Sequence, residues 1–139
     1  MTDIIINWLK TFPQFEEKLK SNTIEEIFSN GYQFGRLFHS NKLFQDMKLL
    51  KNLETKEDSL NNYYFLRKTF LKIGIDLIDD DINDLISKKL HKAELYLFKI
   101  KQYLLLHKIQ FNEIVEKMDA EKKTKYKDEI SQKIQKKIY

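Results

Sequence analysis

The sequence predicts an all-α fold: a compact helical domain over residues 1–118, followed by a basic helical extension over residues 119–139. Three observations carry this expectation. The 139 residues include 3 Gly and 1 Pro, too little punctuation for the many turns of a β-sandwich or barrel. Apolar residues recur at three- and four-residue intervals along most of the chain, the spacing of helical faces. The 10 Phe, 7 Tyr and 1 Trp lie mostly between Trp8 and Phe111 and supply the bulk of one core. A chain of this length hides about two-thirds of the surface that its unfolded form exposes.

Taken in order, the first helix opens at Asp3 as N-cap, with Ile4, Ile5, Trp8 and Leu9 at buried-stripe spacing and Trp8 as its core anchor. Pro13 ends it near Thr11 or Phe12, because the residue before a proline disfavours helical backbone. An amphipathic turn, Phe15 to Leu19, leads to Thr23, which with Glu26 has capping-box spacing before a short helix through Phe28. The stretch Ser29 to Phe44 is the expected central helix. Asn30-Gly31 bends the chain into it, and Tyr32, Phe34, Leu37 and Phe38 share a broad apolar face. Gly35 inside that run costs about 1 kcal/mol relative to alanine, so a crowded neighbouring helix is expected there.

From Gln45 to Glu57 the pattern blurs, though Met47, Leu49, Leu50 and Leu53 suit a segment lying on the core. Asp58 or Ser59 is the expected cap of a second core helix carrying Leu60, Tyr63, Leu66, Phe70 and Ile73, which Gly74 ends. Asp79, Asp80 and Asp81 favour the positive end of a helix running through Leu90. One long helix is then expected from Lys92 to about Met118, threading Ala93, Tyr96, Leu97, Ile100, Leu104, Phe111 and Ile114. Its first half is apolar nearly all round, so Leu95, Phe98, Leu105 and Leu106 are expected to find partners too. The residues expected to form the core are Trp8, Tyr32, Phe34, Leu37, Phe38, Tyr63, Leu66, Phe70, Leu97 and Ile100.

Catalytic chemistry finds little footing. There is no cysteine, so disulfides, thiolate zinc sites and a cysteine nucleophile are excluded and a reducing compartment is expected. Asp79, Asp81 and Asn83 match the first ligands of a calcium loop, but Asp84 stands where that loop needs glycine and Leu90 where it needs glutamate. His39, His91 and His107 are isolated in sequence and read as boundary residues rather than metal ligands. No phosphate-binding glycine loop and no nucleophile elbow occurs. The expectation is a non-enzymatic protein with no cofactor and no metal. No apolar run approaches the ~20 residues of a membrane span. Met1 to Lys10 lacks the pattern of a signal peptide, so a cytoplasmic protein with no membrane partner is expected.

The formal charge of +4 is localised. Residues 1–119 carry 18 Lys/Arg and 18 Asp/Glu, whereas residues 120–139 carry 7 Lys and 3 acids. Tyr126, Ile130, Ile134 and Ile138 recur every four residues there, among Lys122, Lys123, Lys125, Lys127, Lys133, Lys136 and Lys137. This gives a thin apolar strip on a charged helix, suited to docking on the domain, to a short coiled coil or to folding on a partner. The lysines suit an acidic surface; the absence of arginine from the tail and the neutral domain argue against nucleic acid.

The order of elements resembles a calponin-homology domain, in the divergent form found in sperm-flagellar proteins of the axoneme. DIIINWL is similar to that family's opening helix with its core tryptophan, and FSNGYQFGRLFH to the helix that follows an Asn-Gly or Asp-Gly bend. LNNYYFLRKTFLKIGI is similar to its asparagine-bearing helix, and DINDLISKKLHKAELYLFKIKQYL to its final short and long helices. The resemblance spans about residues 3–107. It implies cytoskeletal binding: tandem domains of this kind usually hold actin, while single divergent ones associate with microtubules and axonemal complexes. The leading expectation is a ciliary protein whose domain docks on tubulin or axonemal partners, with the lysine tail adding contacts. The alternative is a structural adaptor that binds another protein's helix through Tyr126, Ile130, Ile134 and Ile138; actin binding is a weaker third.

Overall fold

The computed structural model describes the backbone of residues 2–116 and the side chains of residues 2–107. Among these residues it contains seven α-helices and no strand. They are α1 (Thr2–Leu9), α2 (Pro13–Glu16), α3 (Ile24–Phe28), α4 (Tyr32–Ser40), α5 (Lys56–Lys72), α6 (Asp79–Ile86) and α7 (Lys92–Glu116), with 3-10 turns at Lys18–Lys20 and Met47–Leu49. The lysine-rich tail, its isoleucine strip and the side chains of Phe111, Ile114 and Met118 lie outside the described residues.

Local chemistry accounts for most of the helix ends. Thr23 caps α3 in a full capping box: Glu26 N–H donates to Thr23 Oγ1 at 3.2 Å, and Thr23 N–H donates to Glu26 Oε1 at 3.3 Å. Pro13 stands first in α2, where its missing N–H is harmless. Consequently α1 stops earlier than expected, at Leu9, with Thr11 N–H closing a tight turn onto Trp8 C=O at 3.1 Å. Asp3 lies inside the first turn of α1 rather than at its cap. The cap of α5 is Thr55, not Asp58 or Ser59: Asp58 N–H donates to Thr55 Oγ1 at 3.2 Å, and the helix starts at Lys56. The expected helix through Leu90 ends at Ile86, because the chain turns away through left-handed residues Lys88 (φ 62°) and His91 (φ 68°). Gly74 ends α5 with φ 83°.

Ring contacts run through the core without a break. Trp8 meets Phe12 at 5.4 Å between centroids, and Phe12, Phe15, Phe28 and Phe34 follow in turn. Phe70 of α5 then gathers Phe34 (5.5 Å), Phe38 (4.9 Å) and Tyr96 (5.7 Å), edge toward face in each pair. Phe34, Leu37, Phe38, Tyr63, Leu66, Phe70, Leu97 and Ile100 are fully buried, as their periodicity predicts. Burying a phenylalanine side chain completely stabilises the fold by about 2–3 kcal/mol, so this string is its main source of stability. Trp8 and Tyr32 depart from expectation. Each is half-buried at the margin, and in α1 the fully buried positions are Ile5 and Leu9.

Gly31 and Gly35 place α4. Gly31 takes φ 81°, and a Cβ there would stand 3.2 Å from Asn62 Cβ. A Cβ on Gly35 would collide with Leu50 Cδ1. The crowded neighbour is thus a side chain from the segment after the Met47–Leu49 turn, not another helix. That segment is held by Asn62 of α5, which accepts from Lys51 N–H (2.9 Å) and donates to Lys51 C=O (2.7 Å) and Asn30 C=O (2.8 Å). Leu50 is buried and Met47 half-buried, while Leu49 and Leu53 face solvent, so only part of the segment lies on the core.

Candidate docking surface

α5 presents two faces. Ser59, Asn62, Tyr63, Leu66, Thr69 and Phe70 point inward. Asn61, Tyr64, Phe65, Lys68, Leu71 and Lys72 share the outer arc, because positions three, four and seven apart superpose at 3.6 residues per turn. Leu71 is 63% exposed, and Tyr64 and Phe65 are also open to solvent. Among the described residues Lys68 and Lys72 enter no ion pair, so the arc combines apolar bulk with two free cations. Arg67 borders it, with its guanidinium 5.1 Å from the Tyr64 ring centroid and its Nη2 2.6 Å from Asp79 Oδ1.

α7 supplies a second exposed strip. Leu95, Leu105 and Leu106 face solvent, the last two at 52% and 54%, against the expectation that they find partners; Phe98 is half-buried on the core. The reason is geometric. α1, α3 and α6 cover one side of α7, and its fully buried positions among the described side chains end at Ile100.

Of the acids that open α6, Asp79 and Asp81 are tied into ion pairs and hydrogen bonds, while Asp80 is exposed. Asp79 pairs with Arg67, while Asp81 Oδ1 lies 2.7 Å from Lys92 Nζ and Oδ2 accepts from Tyr96 Oη at 2.6 Å. Burial pushes the Asp81 carboxyl up, but the hydrogen bonds from Lys92 and Tyr96 and the charges of Lys92 and Lys99 outweigh it and hold the group below its ordinary value. The Asp81 hydrogen bond in turn holds the Lys92 ammonium above its usual range, against burial. Burial first, and the Asp81 hydrogen bond second, push the Tyr96 hydroxyl well up. Burial pushes the Tyr63 hydroxyl up as well; it donates to Phe28 C=O at 2.6 Å.

The histidines are placed by packing. His39 Nδ1 lies 3.0 Å from Phe44 C=O, and the His107 ring lies against Tyr103 with centroids 4.1 Å apart and planes tilted by 45°. His91, isolated in sequence, is not isolated in space: it joins Glu25 and Glu94, whose ligand atoms together with its own lie within 4.8 Å of one another. Sequence reasoning missed this trio because 66 residues separate Glu25 from His91. An open polar cleft of about 410 Å³ lies between Asn22, Glu26, Glu54 and Lys88. The lysines and isoleucines of the tail lie outside the described residues.

The family described as "CH-like domain in sperm protein" matches residues 5–102. This span agrees closely with the resemblance drawn over residues 3–107. A curated relative, sperm flagellar protein 2 of Sus scrofa, is 23% identical over 100 residues. The aligned stretch is 72% of this chain and 6% of that relative, so the chain spans a small part of the length of the curated protein it matches. No solved structure matches the chain.

Proposed function

Because the chain belongs to the family of CH-like domains in sperm proteins, we propose that it is a non-enzymatic docking module of the ciliary or flagellar cytoskeleton, binding microtubules through basic groups. The family match over residues 5–102 carries this reading. The flagellar relative supports the location, and the outer arc of α5 supports the contact. Tyr64, Phe65 and Leu71 offer apolar area beside Lys68 and Lys72, a composition suited to an acidic protein surface such as that of tubulin. Lys122, Lys123, Lys125, Lys127, Lys133, Lys136 and Lys137 would add attraction from the tail, where the chain's excess positive charge lies.

Co-sedimentation with stabilised microtubules, beside actin filaments and at two salt concentrations, tests the proposal. Pelleting with microtubules is expected at low salt and weakens as salt rises, since the Debye length is about 10 Å at 0.1 M. Lys68→Glu with Lys72→Glu reduces it, as does ending the chain at Met118. Failure to pellet with microtubules at low salt refutes direct tubulin binding.

Exposed Leu105 and Leu106 favour a second reading, in which α7 and the tail bind a partner helix as a structural adaptor. Replacing Ile130 and Ile134 with serine then abolishes partner binding or self-association, whereas converting Lys122, Lys123, Lys125 and Lys127 to glutamate changes little. Direct tubulin binding gives the opposite ranking.

A further inference from the structure

We propose that Glu25, His91 and Glu94 form a binding site for a transition-metal dication, zinc in particular, which clasps α3 to the start of α7. Glu25 comes from α3, His91 from the residue immediately before α7, and Glu94 from the first turn of α7. One ligand atom from each lies within 4.8 Å of the others. A tetrahedral zinc with bonds of about 2.0–2.1 Å sets its ligands about 3.4 Å apart, so a contraction of at most about 1.4 Å from the 4.8 Å bound closes the set. The His91 side chain, 60% exposed, is free to make that movement and leaves an entry path from solvent.

Charge is the second and independent argument. Glu94 is only 3% exposed and Glu25 only 9%, yet among the described residues neither pairs with a lysine or arginine. The lysines nearest in sequence are engaged elsewhere: Lys89 with Asp84, and Lys92 with Asp81 and Asp84. The polar contacts of the trio are few. Glu94 Oε2 accepts from Thr2 Oγ1 at 2.9 Å and lies 3.2 Å from His91 Nδ1, and Glu25 Oε1 accepts from His91 N–H at 3.0 Å. Glu94 Oε1 and Glu25 Oε2 accept no hydrogen bond among the described residues. Two closely placed carboxylates with no lysine or arginine beside them and an oxygen each left open form a donor set that a cation would join.

The donor set selects the kind of cation. One imidazole and two carboxylates suit zinc and its first-row neighbours, whereas calcium takes six to eight oxygens and magnesium keeps a shell of water. Thr2 would hold Glu94 in orientation from the outer shell, as metal-ligating carboxylates generally require. Water from the solvent side would complete the coordination. Since α1 also packs on α7, the ion would tie three helices into one unit.

The test uses the full chain stripped of metal and titrated with zinc by calorimetry, with thermal unfolding followed in parallel by circular dichroism. One equivalent is expected to bind and to raise the unfolding temperature, as any ligand of the folded state alone does. His91→Asn keeps a residue that tolerates left-handed backbone and a donor toward Glu94, but removes the imidazole. This variant and Glu25→Gln are expected to weaken zinc by more than about tenfold, the scale on which even outer-shell changes act. His39→Asn and His107→Asn are expected to bind as the parent chain does. The site is overturned if zinc does not bind the parent chain, or if His91→Asn binds it and is stabilised by it undiminished.

Discussion

Asn62 offers the sharpest test of how the fold is held. It is buried on the inner face of α5, and its three hydrogen bonds fasten the segment carrying Leu50 and the carbonyl of Asn30. Asn62→Ala removes all three at about 1 kcal/mol each. Lys51 lies at the surface, where water can replace its two lost partners, but Asn30 is 3% exposed and its carbonyl is left without one. The total is therefore about 3 kcal/mol, with the Asn30 carbonyl the largest share. For a folded unit of about 115 residues, an unfolding entropy of about 2.1 cal/mol/K per residue makes this a fall of about 12 °C in the unfolding midpoint. Asn62→Asp has nearly the same shape and keeps the acceptor for Lys51 N–H, but sets a charged oxygen against two carbonyl oxygens. It is expected to destabilise more than alanine does at neutral pH. Thermal and urea unfolding monitored by circular dichroism measure both. A loss below about 1 kcal/mol for Asn62→Ala, or an aspartate variant more stable than the alanine one, would refute the claim that these bonds fasten the segment.

Gly35→Ala gains up to about 1 kcal/mol of helix propensity but drives a methyl into Leu50, and overpacking costs about 1–3 kcal/mol. It is expected to destabilise the parent chain and to stabilise a Leu50→Ala background, a sign reversal that a double-mutant cycle in urea detects. At acid pH the lowered pKa of Asp81 contributes stability that is present above the unfolded value of about 4 and is lost as pH falls through the folded one. Asp81→Asn accordingly lowers stability at pH ~7 and flattens the fall below pH ~4 in a pH series of urea melts. At alkaline pH the sign is opposite. The raised pKa values of Tyr63, Tyr96 and Lys92 contribute stability that is complete below about pH 10 and lost as pH climbs toward the folded values. Tyr96→Phe is expected to reduce the slope of stability between about pH 10 and 12; an unchanged slope contradicts the assignment.

Much of this architecture was legible because it is written within single turns of chain. The spacing of Phe34, Leu37 and Phe38, and of Tyr63, Leu66 and Phe70, names the inward face of α4 and α5 without reference to anything else. The box at Thr23 and Glu26, the bend at Asn30-Gly31 and the stop at Gly74 are equally local, since each rests on a backbone conformation that its own residues favour. The true start of α5 was also within reach, because Thr55 and Asp58 have the Thr-x-x-acid spacing of a capping pair, with Thr55 as the cap. The spaced core residues that carried the family resemblance belong to this same local record, and the match over residues 5–102 rests on the same stretch of chain.

Periodicity names a face but not how far neighbours cover it, and there the tertiary structure decided. Trp8 and Tyr32 stop half-buried because they fall at the margin of the core, while Leu105 and Leu106 stay open past Ile100, the last fully buried position among the described side chains of α7. The neighbour that requires Gly35 is Leu50, fifteen positions along and held there by a third element through Asn62. Glu25, His91 and Glu94 carried no sequence signal at all. Their approach depends on α3 packing against α7 and on a left-handed turn at His91, and distances set by packing between elements leave no spacing along the chain to read.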